Sequence, residues 1–420
     1  MAYRPKNFAR TAAAVERLQR MAHVLVAPLR IRIMAALSVR PMSPKMFQEE
    51  FGGGDLSRID ENFKVLRHHG WISLVDTRTG GKLRSATEHI YRATKLPVFD
   101  DEAWAALPLP MREMVSWNIA QTFTRRLGEG IEAGTMDARD DRHFTWMAGL
   151  VDLVGWKRIV SRANSVFEFF VDERRRSAGR LANSGEEPTP ITVGLVVFES
   201  PSKRFDLDRR AQRVAHGDAS PSSAHDFHLR MAKVMIDPLR MMILAELGTR
   251  AMSAKSFFEE FGGGEITKAR VYRAFRVLKR FDWIVLVEKK GTEGRRGGKE
   301  HFYRAARPPV LDSSTWPALP ESTKEVVSGK IYDTLTERLG EAIEAGTMDA
   351  RDDRHFTWTP GLVDRVGWNA VIERVDDLFR LCCEEIERAE GELEKSGEEG
   401  IPLTVALAAF ESPMASAREP

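Results

Sequence analysis

Only two cysteines occur in 420 residues, and they are neighbours, Cys382 and Cys383. That excludes a disulfide framework and fits a reducing cytoplasm. No run of about 18 apolar residues exists, so no membrane span is expected. The N-terminal stretch MAYRPKNFARTAAAVERLQR lacks the apolar segment of a secretion signal. An excess of one charge is missing too. Lys and Arg number 63 and Asp and Glu 61, a net +2, so overall charge says nothing about a polyanionic partner and only its distribution can. The glycines Gly52–Gly54 and Gly262–Gly264 lack the Lys-Ser/Thr that a phosphate-cradling loop needs. No Gly-x-Ser-x-Gly elbow and no His-Glu-x-x-His pair occurs. No catalytic residue, metal ligand or cofactor is therefore expected.

What the chain has is itself, twice. Ile131–Trp146 reads IEAGTMDARDDRHFTW, and Ile343–Trp358 repeats the same letters. Phe51 returns as Phe261, 210 positions on, whereas Phe198 returns as Phe410, 212 positions on. The second copy has thus gained two residues after its glycines. Solenoid units run roughly 20–50 residues, so this is a duplicated multi-domain unit. One polypeptide carries what many proteins obtain by dimerising.

Each copy begins with helical patterns and then a hairpin. An amphipathic helix is expected over 11–26, with Val15, Leu18, Met21, Ala22 and Leu25 on one face. Pro28 opens a second helix, because proline is tolerated in the first turn. Ser43 caps a short third helix, Lys45–Phe51, with Pro44 at its first position. A fourth spans Ser57–His69, with Ile59, Phe63 and Leu66 on one face. Trp71–Val75 and Ile90–Ala93 then read as two strands around a polar loop, Thr77–Glu88. In the second copy the corresponding helices are 226–236, 238–248, 253–261 and 267–281. Its strands are Trp283–Val287 and His301–Ala305, around Glu288–Glu300. The rest of each copy, illustrated by the first, reads as a helix (Met111–Glu132), a strand (His143–Val151), a long helix (Gly155–Ala182) and a β-branched strand (Ile191–Phe198). Strand, helix, strand suggests a compact α/β unit, parallel or crossing over.

The expected fold is α+β and mainly helical: two winged helix-turn-helix domains, each followed by a small α/β domain, in tandem. The boundaries are 1–104 for the first winged helix and 105–201 for its α/β dimerisation or effector domain. A polar linker follows over 202–224. The second copy takes 225–312 and 313–413.

In a winged helix-turn-helix the last helix enters the major groove and the hairpin loop reaches the flanking backbone. The solvent face of that helix should then be basic. In copy two, TKARVYRAFRVLKR supplies Thr267, Lys268, Arg270, Arg273, Arg276, Lys279 and Arg280 and no acid, with Val271, Phe275 and Leu278 as the apolar stripe. Its wing adds Lys289, Lys290, Arg295, Arg296 and Lys299 among glycines, which let a loop approach phosphates closely. Copy one offers Ser57, Arg58, Lys64 and Arg67, offset by Asp60 and Glu61, with Arg78, Lys82 and Arg84 in the wing. Either the two copies read different half-sites or copy two dominates affinity. A basic helix can also be no more than a solvated face.

The segment DPLRMMILAELGTRAMSAKSFFEEF, with VLKRFDWI closing the last helix, resembles the winged helix-turn-helix of ArsR-like bacterial regulators. So does APLRIRIMAALSVRPMSPKMFQEEF with VLRHHGWI in copy one. The later EAGTMDARDDRHFTW, GW, SGEE and TVALAAFES resemble the C-terminal part of actinobacterial-type winged-helix regulators. The resemblance implies a cytoplasmic regulator of transcription that binds double-stranded DNA, normally as a dimer. Here the two copies would form a pseudo-dimer about a pseudo-twofold axis, with further self-association left open. A small-molecule effector of unassigned chemistry would act on the α/β domains. Metal-sensing members carry a Cys-x-Cys motif that Ser43–Phe51 and Ser253–Phe261 lack, so metal sensing of that type is not expected.

Other candidates have competing readings. Cys382 and Cys383 fall at apolar helix positions and read as packing. Asp137, Asp140, Asp141 and His143, with twins Asp349, Asp352, Asp353 and His355, could build a hydrolytic or metal site. The interleaved Arg139 and Arg142 instead favour a salt-bridged loop, with effector contact as the functional alternative. Trp146, Trp156, Trp358 and Trp368 fit a core or an apolar effector pocket. The alternative to DNA binding is a winged-helix scaffold that binds protein.

Overall fold

The computed structural model describes residues 24–52, 54–79, 87–94, 104, 107–200, 237–264, 266–291, 299–306 and 316–413. The fold is α+β. Of the helix expected over 11–26, only the last turn is described, with Val24 and Leu25 buried. The expected helix 226–236, the linker 202–224 and the wing residues Lys82, Arg84, Arg295 and Arg296 lie outside the described residues. Two compact units divide the chain, one within residues 1–123 and one over Thr124–Pro413.

The first unit holds α1 (Pro28–Val39), α2 (Pro44–Phe51), α3 (Leu56–His68), β1 (Ile72–Thr79) and β2 (Thr87–Ala93). Local chemistry sets these elements. Ser43 accepts from the Met46 N–H at 3.1 Å and Pro44 occupies the first turn, so α2 starts where the sequence says. Asp55 caps α3, accepting from the Arg58 N–H at 2.7 Å. The apolar stripe Ile59, Phe63 and Leu66 is fully buried, and Phe63 lies between Phe47 (6.2 Å, edge-on) and Tyr91 (5.7 Å). β1 and β2 pair antiparallel, and Met42 bridges to Tyr91 on the other side of β2. The helix α4 (Leu109–Glu132) begins in this unit, where Asn118 donates to the Leu25 carbonyl at 3.2 Å.

The second unit contains β3 (His143–Val151), α5 (Leu153–Ser184) and β4 (Thr189–Glu199). Next come α6 (Pro238–Thr249), α7 (Ala254–Phe261), α8 (Lys268–Arg280), β5 (Ile284–Gly291) and β6 (Lys299–Ala305). α9 (Glu321–Glu344), β7 (His355–Val363), α10 (Arg365–Ser396) and β8 (Ile401–Glu411) complete it. The α6–β6 segment repeats the first unit's packing. Phe275 lies between Phe257 (6.0 Å) and Tyr303 (5.9 Å), and Met252 bridges to Tyr303.

The strands of the two copies do not form separate α/β units. They make one antiparallel four-stranded sheet in the order β3-β8-β4-β7, so each outer strand pairs with an inner strand of the other copy. The inner strands pair with each other, and Leu195 faces Leu407, its own counterpart 212 positions on. A pseudo-twofold axis therefore passes through that pair. This corrects the expectation of a parallel or crossing-over unit within each copy. The reason is burial: β4 and β8 are buried along nearly their whole length. Such a strand needs a neighbour on both edges, and one copy can offer only one.

The helices follow the same exchange. α5 lies on β7 and α10 on β3, and the two helices pack together. Asp152 and Asp364 cap α5 and α10 and are gripped by Arg388 and Arg180 of the opposite copy. Gly185 and Gly397 end the two helices in the left-handed conformation (φ 68° in both). Trp156 and Trp368 are fully buried in the shared core, where Cys382 also sits with Cys383 against it. No helix among the described residues is long and apolar enough to cross a membrane.

Candidate nucleic-acid interface

α8 is two-sided. Val271, Ala274, Phe275 and Leu278 are buried, while Lys268, Arg270, Arg273, Arg276, Lys279 and Arg280 are all exposed. The helix has no acidic residue. Thr267, expected to touch a ligand, spends its hydroxyl as the N-cap, accepting from the Arg270 N–H at 3.4 Å. Lys279 and Arg280 lie in the last turn, where they also complement the helix dipole. Lys279 reaches within 5.8 Å of the Tyr303 ring and Arg280 within 5.8 Å of Phe281, so aromatic faces steady both cations. Sequence reasoning passed over Tyr272, which is 41% exposed in the middle of the cationic face, with Lys268 5.9 Å from its ring. On the hairpin, Lys289 and Lys299 are exposed, whereas Lys290 pairs with Glu288 at 3.5 Å and covers Phe302.

The platform under α8 is fixed to the sheet. Glu246 of α6 accepts from Arg338 of α9 at 2.7 Å, and Arg250 binds Glu260 at 2.6 Å. Gly248 comes so close to β3 that a Cβ there would sit 3.0 Å from the Ala148 carbonyl oxygen. The repeat equivalent of Glu246 is Ala36, so this ion pair belongs to the second copy alone.

In copy one, Ser57, Arg58, Lys64 and Arg67 are exposed on α3. Lys64 pairs on the surface with Asp60 at 2.8 Å, whose hydrogen bond raises its pKa above the ordinary lysine value. Arg78 lies 3.5 Å from Asp76. With the N-caps Asp55 and Thr267 superposed, Asp60 falls at Tyr272 and Glu61 at Arg273. The two faces therefore differ at their centres.

The Asp–His loops hold the copies together. Asp137 binds the fully buried Arg142 at 2.9 Å, and Asp349 binds Arg354 at 2.8 Å. Burial lowers the Arg142 pKa to about 10, against the opposing pull of Asp137. Arg139 pairs with Asp141 and stacks 4.3 Å over Trp368, while Arg351 pairs with Asp353 and stacks 4.7 Å over Trp156. Among the described residues, no group of three or more His, Cys, Asp or Glu side chains gathers as metal ligands do.

His143 and His355 are buried at equivalent ends of the sheet. His143 Nδ1 lies 2.7 Å from Asp376. His355 Nδ1 donates to the Asn164 side-chain oxygen at 2.6 Å, and its Nε2 accepts from Thr357 at 2.8 Å. Burial, helped by Arg354, pushes His355 down to about 3. The unfolded chain titrates it near 6.5. The stability due to the neutral ring is thus complete above about 6.5 and is lost on acidification, at up to about 1.4 kcal/mol per pH unit, until the folded value is reached. Denaturant unfolding at pH 7 and pH 5 should show a shallower pH dependence for His355→Gln than for wild type.

Comparison with protein families, curated proteins and solved structures finds no match. The functional reading accordingly rests on the residues.

Proposed function

We propose that this chain is a cytoplasmic regulator of transcription that binds double-stranded DNA through two winged helix-turn-helix domains acting as a pseudo-dimer. One observation carries the reading: an acid-free helix buries its apolar stripe and exposes six cations beside a hairpin with further lysines. A face of this kind meets phosphates and the acceptor edges of guanine. The succession of helices and antiparallel hairpin supports a winged-helix reading, with α3 and α8 as the reading helices and β1–β2 and β5–β6 as the wings. The shared sheet supports the pseudo-dimer, since neither copy completes it alone. A small-molecule effector would act by altering that sheet. The Asp–His loops, engaged in ion pairs and aromatic stacks, favour a structural role over an enzymatic one.

Salt titration tests the proposal. If about six phosphates are neutralised, log affinity should fall against log salt with a slope of about −5. Duplex affinity should then drop roughly a thousandfold between 50 and 200 mM salt. A flat dependence would favour the second reading, a winged-helix protein that docks other proteins. What favours that reading is copy one, whose α3 carries Asp60 and Glu61 and exposes Leu56, with Leu74 and Val75 exposed on β1.

A further inference from the structure

The two reading helices are built to one plan. Each has an N-cap side chain, Asp55 or Thr267, and each buries a stripe that falls at the same spacing from its cap: Ile59, Phe63 and Leu66 in α3; Val271, Phe275 and Leu278 in α8. Residues equally far from the caps therefore occupy equal places on the two faces. Several are chemically alike: Arg58 with Arg270, Lys64 with Arg276, and Arg67 with Lys279. The faces differ at their ends as well, Leu56 against Lys268 and His68 against Arg280, but charge reverses sign only in the middle. There Asp60 and Glu61 stand where copy two has Tyr272 and Arg273. Asp60 turns back onto Lys64, while Glu61 and Arg273 are both exposed.

Opposite charges at one position of a reading helix cannot select the same base. An arginine there donates to guanine O6 and N7, and a carboxylate there can only accept, most favourably from the exocyclic amine of cytosine. A carboxylate over guanine or thymine would face an acceptor and, behind it, the phosphates, with nothing to offset its loss of water. We infer that Glu61 and Arg273 are specificity-determining residues that make the two half-sites unlike, Glu61 selecting cytosine at the position where Arg273 selects guanine. The target is then a broken palindrome: the bases read by the shared arginines and lysines recur in both halves, and one central base pair is reversed. This inference rests on the DNA-binding reading above.

Selection of bound sequences from random duplexes, run on the full chain as wild type, Glu61→Arg and Glu61→Gln, tests it. Wild type should yield two half-sites that differ at the position read by Glu61 and Arg273, cytosine in one and guanine in the other. Glu61→Arg should restore the palindrome by shifting that position to guanine, with a preference change of about tenfold or more. Glu61→Gln should lose the cytosine preference. Glu61 is exposed, so circular dichroism should be unchanged in both variants. A wild-type consensus that is already palindromic, one with a single half-site, one with adenine in place of cytosine, or a position indifferent to Glu61→Arg would overturn the inference while leaving DNA binding intact. Failure of wild type to select any duplex would overturn both.

Discussion

Reversing Arg270, Arg273 and Arg276 to glutamate should reduce duplex affinity by roughly a thousandfold at about 0.1 M salt, enough to abolish retention in a gel-shift experiment. All three side chains are exposed on α8, and the buried stripe beneath them is untouched, so the fold should survive. The loss has two parts. Each arginine removed forfeits a phosphate or guanine contact, and each glutamate added repels the backbone. The matching change in copy one, Arg58→Glu with Lys64→Glu, should cost far less, about tenfold, because Asp60 already engages Lys64. Equal losses from the two sets would contradict the asymmetry between the copies. Fluorescence anisotropy with a labelled duplex selected by the wild-type chain would measure both.

The largest effect on stability should come from Trp368→Ala, at about 4 kcal/mol. Trp368 is fully buried in the core shared by both copies, and Arg139 of the other copy stacks on its ring. Its removal leaves a cavity and also strips a partly buried cation of its cover. The whole Thr124–Pro413 unit should feel the loss, because β3, β8, β4 and β7 form one sheet. Denaturant unfolding followed by circular dichroism should show a lower midpoint for secondary structure drawn from both copies. Loss confined to one copy's elements would argue that the sheet does not unfold as a unit.

The elements α2, α3 and the β1–β2 hairpin were legible because their signals are local. Ser43 with Pro44 marks the start of α2, the spacing of Ile59, Phe63 and Leu66 marks the buried face of α3, and alternation after Trp71 marks the hairpin. The start of α5 was misplaced by two residues, at Gly155, although Asp152 carries the cap. Strand partners were not legible. Ile191–Phe198 is apolar on both faces, and such a run shows that neighbours exist without saying which copy supplies them. The central contrast of the candidate interface was half visible: Asp60 and Glu61 stood out as acids. Their correspondence to Tyr272 and Arg273 depends on the two inserted residues lying before the caps Asp55 and Thr267, which fixes the offset along the helix at 212.

The crossed strand order has a consequence for how such a chain can change. In a dimer of identical subunits every substitution appears at both sites, and dilution can separate the partners. Here the halves meet intramolecularly, at the millimolar effective concentrations of tethered groups, whatever the abundance of the protein. Each half is then free to acquire its own side chains, as the pairs His143–Asp376 and His355–Asn164 already show within one symmetric frame. The result is an obligate heterodimer that never has to find its partner.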